Sequence, residues 1–233
     1  MPDVSPPHDV VFLLDVDNTL LDNDRVEADL RRHIRDAFGA ERQQCYWDLF
    51  EQLRAELGYA DYLGALERYR AEYPRDPQLL HISSFLLNYP FAERLYPRAL
   101  DVIARFRRFG VVVILSDGDV VFQPRKIECS GLGEAVSGHV LIYIHKEQML
   151  DDVAQRYPAR QYVLVDDKLR ILAAVKQIWQ ARVTTIFPRQ GHYAHDRAAI
   201  DAFPAADITV ERIGDLFEWD PATIVPAPPS DLA

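Results

Sequence analysis

Two kinds of apolar pattern alternate along this chain. Unbroken runs rich in Val, Ile and Leu occur at Val10-Val11-Phe12-Leu13-Leu14, Val111-Val112-Val113-Ile114-Leu115, 140–144, Tyr162-Val163-Leu164-Val165 and 183–187. Such short runs predict strands covered on both faces. Elsewhere the apolar residues recur at helical spacing. Val26, Leu30, Ile34 and Phe38 predict one helix, stopped by Gly39, and Tyr46, Leu49, Phe50, Leu53 and Leu57 a second, stopped by Gly58. Tyr62, Leu66 and Tyr69 suggest a third, and 79–87 a fourth between Pro77 and Pro90.

Pro97 stands where a helix favours its first residue, ahead of an apolar face of Leu100, Ile103 and Phe106 that ends at Gly110. Further helices are expected over 123–129, around Met149, Leu150 and Val153, and through Ile171, Leu172, Val175, Ile178 and Trp179. Strand and helix thus alternate once the long helical stretch after the first strand is passed. This predicts an α/β fold, a parallel sheet with helices on both faces. Residues 1–24 and 97–233 are expected to form this core, and 25–96 an all-helical domain inserted into it. No repeat is present, and the Pro- and Ala-rich end suggests no further strand.

Composition narrows the classes. The 233 residues are enough for a sizeable core, and 48% hydrophobic with 27% charged residues is ordinary for a soluble globular chain. A net charge of −10 argues against a general nucleic-acid binder. It leaves room for a phosphorylated small molecule, because a bound divalent cation reverses the local field. Cys45 and Cys129 belong to no metal or redox motif and read as buried free thiols of a reducing compartment. No basic segment leads into an apolar one near Met1, and no run approaches the ~18 apolar residues of a membrane span. A cytoplasmic protein, monomeric or homodimeric and with no membrane partner, is expected.

The candidate chemistry lies where the strands end. The first run closes in Asp15-Val16-Asp17-Asn18-Thr19-Leu20, the second in Ser116-Asp117-Gly118-Asp119, and the fourth in Asp166-Asp167. His145-Lys146 follows the third and leads into a helix. In a parallel sheet these groups converge on one edge, where open α/β sheets bind ligands. Buried acids there need a partner, and a metal ion or ligand is the natural one.

Together these residues resemble the four signatures of the haloacid dehalogenase-like superfamily. The resemblance runs from about Val10 to Pro188, with 123–132 similar to the helix that follows the second signature. It implies a Rossmann-like core and an enzyme that hydrolyses a phosphomonoester through an aspartyl-phosphate. Asp15 would be nucleophile and metal ligand, and Asp17 the general acid/base, its backbone carbonyl a further ligand. Ser116, with the backbone N–H groups of Asp117 and Gly118, would hold the phosphoryl oxygens. Lys146 would supply positive charge to them. Asp167 would bind Mg²⁺, with Asp166 acting through a water. Mg²⁺ is the implied cofactor because a carboxylate approaches a phosphate dianion only when charge is cancelled.

Two residues depart from the usual pattern. Glu147 follows Lys146 where many relatives have Pro, which makes Lys126 a rival for the lysine's role. Asp17 stands where true haloacid dehalogenases carry Tyr, which favours phosphoryl transfer, since a phosphate ester's leaving oxygen needs a proton donor. Gly191-His192-Tyr193-Ala194-His195 offers a His pair without a third ligand nearby in sequence and is not read as a metal site.

The resemblance also makes 25–96 a C1-type cap, a lid whose residues set substrate choice. Most of its aromatics, among Tyr46, Trp47, Tyr59, Tyr62 and Tyr69, fit core spacing and read as packing first. Arg54, Arg68 and Arg70 have two readings, contact with an anionic substrate or a solvated face, of which the solvated face is preferred. A small phosphorylated metabolite is the expected substrate. A phosphomutase, a dehalogenase or a non-catalytic binding protein on the same fold remain alternatives.

Overall fold

Strands β1 (His8–Leu14), β2 (Val111–Asp117), β3 (Val140–Tyr143), β4 (Ala159–Val165), β5 (Val183–Pro188) and β6 (Ile208–Val210) form one parallel sheet in the order β3-β2-β1-β4-β5-β6. The computed structural model describes residues 8–224. From β1 the chain builds outward through β2 and β3, then crosses to β4 on the other side. The sheet's switch point therefore lies between the ends of β1 and β4, where the crevice of such sheets opens.

Helix α1 (Asn23–Phe38), α2 (Ala40–Leu57), α3 (Tyr62–Glu72) and α4 (Leu79–Leu87) fill the interval between β1 and β2. Asp22 caps α1 by accepting from Arg25 N, and Gly39 and Gly58, with φ of 82° and 81°, end α1 and α2 as their positions suggested. The remaining α-helices of the described residues are α5 (Ala99–Phe106), α6 (Phe122–Cys129), α7 (Leu132–Ala135), α8 (Leu150–Arg156), α9 (Leu169–Trp179), α10 (Arg197–Asp201) and α11 (Pro221–Ile224). No helix of the described residues is long and apolar enough to cross a membrane.

Alternation along the strands divides the core in two. Val11, Leu13, Val113, Leu115 and Leu164 face α8 and α9, packing with Leu150, Val153, Ile171, Leu172 and Val175. Phe12, Leu14, Ile114, Val163 and Val165 face α5 and α6. That second cluster runs on into the helical insertion, through Val26, Leu30, Phe50, Tyr62 and Leu86. Phe50 stacks on Tyr62 at 4.7 Å, and Tyr62 meets Phe122 of α6 edge-on at 5.3 Å, so an aromatic chain ties insertion to core.

Three local expectations change. Helix α5 begins at Ala99, after Arg98 in a left-handed conformation, so Pro97 lies outside it and Leu100 is 42% exposed; Ala99, Val102, Ile103 and Phe106 form the buried face. Lys146 opens a single 3-10 turn, Lys146–Gln148, and α8 starts only at Leu150. Residues 208–210 add a sixth strand. Only Val210 of the three is buried, so this edge strand carries no apolar run for periodicity to detect.

Candidate active site

Register brings the acids together. Leu14 pairs with Val165 across β1 and β4, and the ladder continues one step as Asp15 N donates to Val165 O at 3.0 Å. Asp166 N donates in turn to Ile186 O at 3.2 Å. Asp15, Asp166 and Asp167 are all buried, and each offers a carboxylate oxygen within 4.8 Å of the others. Three clustered acids repel one another and lose hydration, so the site demands cations.

Lys146 is one of them. Its Nζ donates to Asp15 Oδ1 at 2.5 Å and to Leu115 O at 3.2 Å. It also lies 2.6 Å from Asp166 Oδ2, an ion pair outside hydrogen-bond geometry. Burial alone would disfavour the ammonium, but Asp15, Asp166 and Asp117 outweigh it and raise the Lys146 pKa. Burial pushes Asp166 up to about 6 against the pull of Lys146. Asp117 has a further role beside the one expected of its backbone N–H. Its carboxylate accepts from Lys146 N at 2.7 Å and braces the turn that presents the lysine. Glu147, the departure after Lys146, pairs with Arg170 of α9 at 2.6 Å and anchors the same turn.

A second cluster surrounds Asp17, the acid that faces the cavity, with 29% of its side chain exposed. Lys126 Nζ donates to Asp17 Oδ1 at 2.6 Å and to Asn23 Oδ1 at 2.9 Å. Gln123 Nε2 lies 2.9 Å from Ser116 Oγ and 3.3 Å from Asp17 Oδ2. The two lysines therefore divide the work, Lys146 holding Asp15 and Lys126 holding Asp17. Neither displaces the other. Gln123, absent from the expected set, joins Ser116 to Asp17. The Gly118 N–H is not available to a phosphoryl oxygen, because it donates to Tyr143 O at 3.0 Å as the ladder runs on past β2.

Asp167 sits differently again. Both of its oxygens are buried and accept no hydrogen bond. Burial, then Asp15 and Asp166, raise its pKa well above the ordinary value, with Lys168 and Lys146 opposing. An unsatisfied buried carboxylate beside two more is costly. Oxygen ligands of this kind and number fit a hard divalent cation such as Mg²⁺, which Asp15, Asp167 and Asp166 would hold.

The acids open onto a cavity of about 360 Å³ roofed by the helical insertion. Tyr59, Tyr62 and Phe50 line it, while Tyr46, Trp47 and Tyr69 are buried packing. Arg68 and Arg70 pair with Glu56 and Glu67 at the surface, as a solvated face would. Arg54 pairs with Glu51 at 3.6 Å but also lines the cavity, where it donates to Tyr193 Oη at 2.7 Å. The neighbouring His192 meets Asp24 at 2.6 Å through Nδ1, away from the acid cluster. Both residues of the 192–193 segment thus clasp the insertion.

A family model described as haloacid dehalogenase-like hydrolase matches residues 10–178. A solved structure from Burkholderia xenovorans LB400, described as a haloacid dehalogenase-like hydrolase, is 66% identical, covers 92% of this chain and 100% of its own, and superposes with a TM-score of 0.88. The L-2-haloacid dehalogenase of Xanthobacter autotrophicus is 18% identical over 89% of this chain and 96% of its own, at a TM-score of 0.58. The HAD-hydrolase YfnB of Bacillus subtilis, solved with magnesium, is 16% identical over 91% and 98%, at 0.57. At these last two identities the likeness is one of fold. No curated protein matches the chain.

Proposed function

The chain belongs to the haloacid dehalogenase-like hydrolases, and from that premise we propose that it hydrolyses a small phosphomonoester through an aspartyl-phosphate on Asp15. The observation that carries this reading is the second acid. Asp17 lines the cavity, with one oxygen on Lys126 and the other on Gln123, two residues from the buried Asp15.

In the first step a carboxylate oxygen of Asp15 bonds to phosphorus as the ester P–O bond breaks, and Asp17 gives the leaving oxygen its proton. In the second, Asp17 takes a proton from water, the water oxygen bonds to phosphorus, and Asp15 is released. Lys146 fixes the nucleophile and places its charge beside the equatorial oxygens. Ser116, held by Gln123, donates its hydroxyl to the same group. Asp15, Asp166 and Asp167 would hold Mg²⁺, which when bound would supply charge neutralisation for the phosphate dianion. A cavity of about 360 Å³ is at the small end for ligand pockets and favours a small metabolite. The helical insertion acts as its lid.

The test is phosphate release from a panel of phosphomonoesters, with halide release from 2-haloacids measured alongside, for wild type and Asp15→Asn. Phosphate release that needs a divalent cation and is lost in the variant supports the reading. Halide release without phosphate release replaces it with a dehalogenase.

A further inference from the structure

Lys126 is a buried ammonium to which the two phosphoryl-transfer steps give no task. Its side chain is 1% exposed, its Nζ lies 5.3 Å from the Phe122 ring centre, and Asp17 is its one carboxylate within 4.0 Å among the described residues. The hydrogen bonds around it close into a ring. Nζ donates to Asp17 Oδ1 at 2.6 Å and to Asn23 Oδ1 at 2.9 Å. Asn23 N donates in turn to Asn18 Oδ1 at 3.0 Å, and Asn18 follows Asp17 in the chain. Asn18 has no room to swing away. It is buried, and a Cβ on Gly191 would fall 2.5 Å from the Asn18 Cβ. An acid that faces a cavity turns about its χ angles unless its oxygens are held, and a small turn takes its proton out of line with the target.

We infer that Asn23 and Lys126 are positioning residues for Asp17: Asn23 fixes the ammonium, and the ammonium aims the acid at the leaving oxygen. The inference rests on the phosphohydrolase reading, in which Asp17 gives that oxygen its proton. A lysine ammonium is a point charge on a flexible stem and would pivot about a single acceptor. Two acceptors, one from the loop after β1 and one from the first turn of α1, define its place. Gln123 steadies the other oxygen of Asp17 at 3.3 Å. Both oxygens are then tied, and each keeps lone-pair capacity for the proton it moves. Neither Lys126 nor Asn23 exchanges a proton. Their effect therefore scales with how much the leaving oxygen needs one. Phenoxide, a poor leaving group, exposes a misaligned acid, whereas 4-nitrophenoxide departs with little help.

The test is kcat/KM of the intact protein in Mg²⁺ buffer for phenyl phosphate and for 4-nitrophenyl phosphate, since this parameter reads the step in which the leaving group departs. Asp17→Asn supplies the reference and is expected to lose more on phenyl phosphate. Asn23→Leu and Lys126→Met should each show the same bias, losing at least ~10-fold more on phenyl phosphate, the scale of one hydrogen bond to a charged group. Asn23→Leu keeps the backbone bond to Asn18 and with it the start of α1. Asn23→Asp, which keeps an oxygen for Lys126, should restore the wild-type ratio. A folded variant that loses equally on both esters, or loses nothing, overturns its residue's role and leaves Asp17 as the acid. An Asp17→Asn variant without the bias, or a wild type inert towards both esters, overturns the phosphohydrolase reading, and the positioning roles with it.

Discussion

Lys146 Nζ stands 2.5 Å from Asp15 Oδ1, although 131 residues separate the two in the chain. The same ammonium is 2.6 Å from Asp166. A single buried cation thus makes two strand-end acids compatible, and its loss strands both. Lys146→Met is expected to destabilise the protein by about 3–5 kcal/mol, the usual cost of breaking a buried pair from one side. Adding Asp166→Asn to that variant should recover part of the loss. Urea unfolding of the two variants checks it, and equal stability of the single variant and wild type would remove the argument.

Asp167 carries the opposite sign. With both oxygens unpartnered beside Asp15 and Asp166, its charge is a liability in metal-free buffer. Asp167→Asn should therefore raise the unfolding temperature in EDTA. Added Mg²⁺ should stabilise wild type, by about 2.7 kcal/mol at a hundredfold excess over its dissociation constant, and leave the variant unmoved. Scanning calorimetry of both proteins with EDTA and with Mg²⁺ reads the crossover.

Far from the site, Asp29 of α1 accepts from Tyr89 Oη at 2.5 Å and from Arg94 Nη2 at 2.9 Å, pinning the insertion where it returns to the core. Burial disfavours the charged carboxylate, but the bonds from Tyr89 and Arg94 and the charges of Arg94 and Arg32 outweigh it and hold its pKa below 3.8. A depressed folded pKa adds stability that is complete above the unfolded value and is lost as pH falls through the folded one. Asp29→Asn should cost about 1–3 kcal/mol at neutral pH. The gap between variant and wild type should narrow below about pH 4. Denaturant titrations across acid pH follow it.

Gln190 is buried and spends its amide on the catalytic loop. Nε2 donates to Thr19 O at 3.0 Å and to Asn18 O at 3.3 Å, while Oε1 accepts from Ile213 N at 2.7 Å. Asn18 is in the left-handed region, with φ of 59°, and its Oδ1 accepts from Asn23 N and Asp24 N. Gln190→Leu is expected to cost about 2–3 kcal/mol by leaving buried backbone groups unpaired. It should also lower kcat more than it raises KM, because the loop it releases carries Asp17. Kinetics of the variant at a temperature where it stays folded separate the two effects.

Much of this was legible in the chain itself. Unbroken Val, Ile and Leu runs dictate buried strands whatever surrounds them, and their alternation with helices dictates a parallel sheet, because such strands can be joined only by crossovers. A parallel sheet then sends Asp15, Ser116, Lys146 and Asp166 to one edge. Gly58 ends its helix in a left-handed turn and Gly39 ends its helix at a positive φ with extended ψ, both conformations that suit glycine.

Side chains that act across elements were decided only by the tertiary structure. Gln123 looks like an ordinary position of a short helix, and Lys126 only like a rival to Lys146, until α6 is set against the loop after β1, where both hold Asp17. Arg54 reads as a solvated helical charge until the 192–193 segment, from the far end of the chain, meets it. Gly118 lost its expected donor role to a ladder with β3 that nothing local announces. Periodicity records which face of an element is covered. Which atoms cover it depends on register and crossing between segments more than a hundred residues apart, and those are settled by packing the whole chain at once.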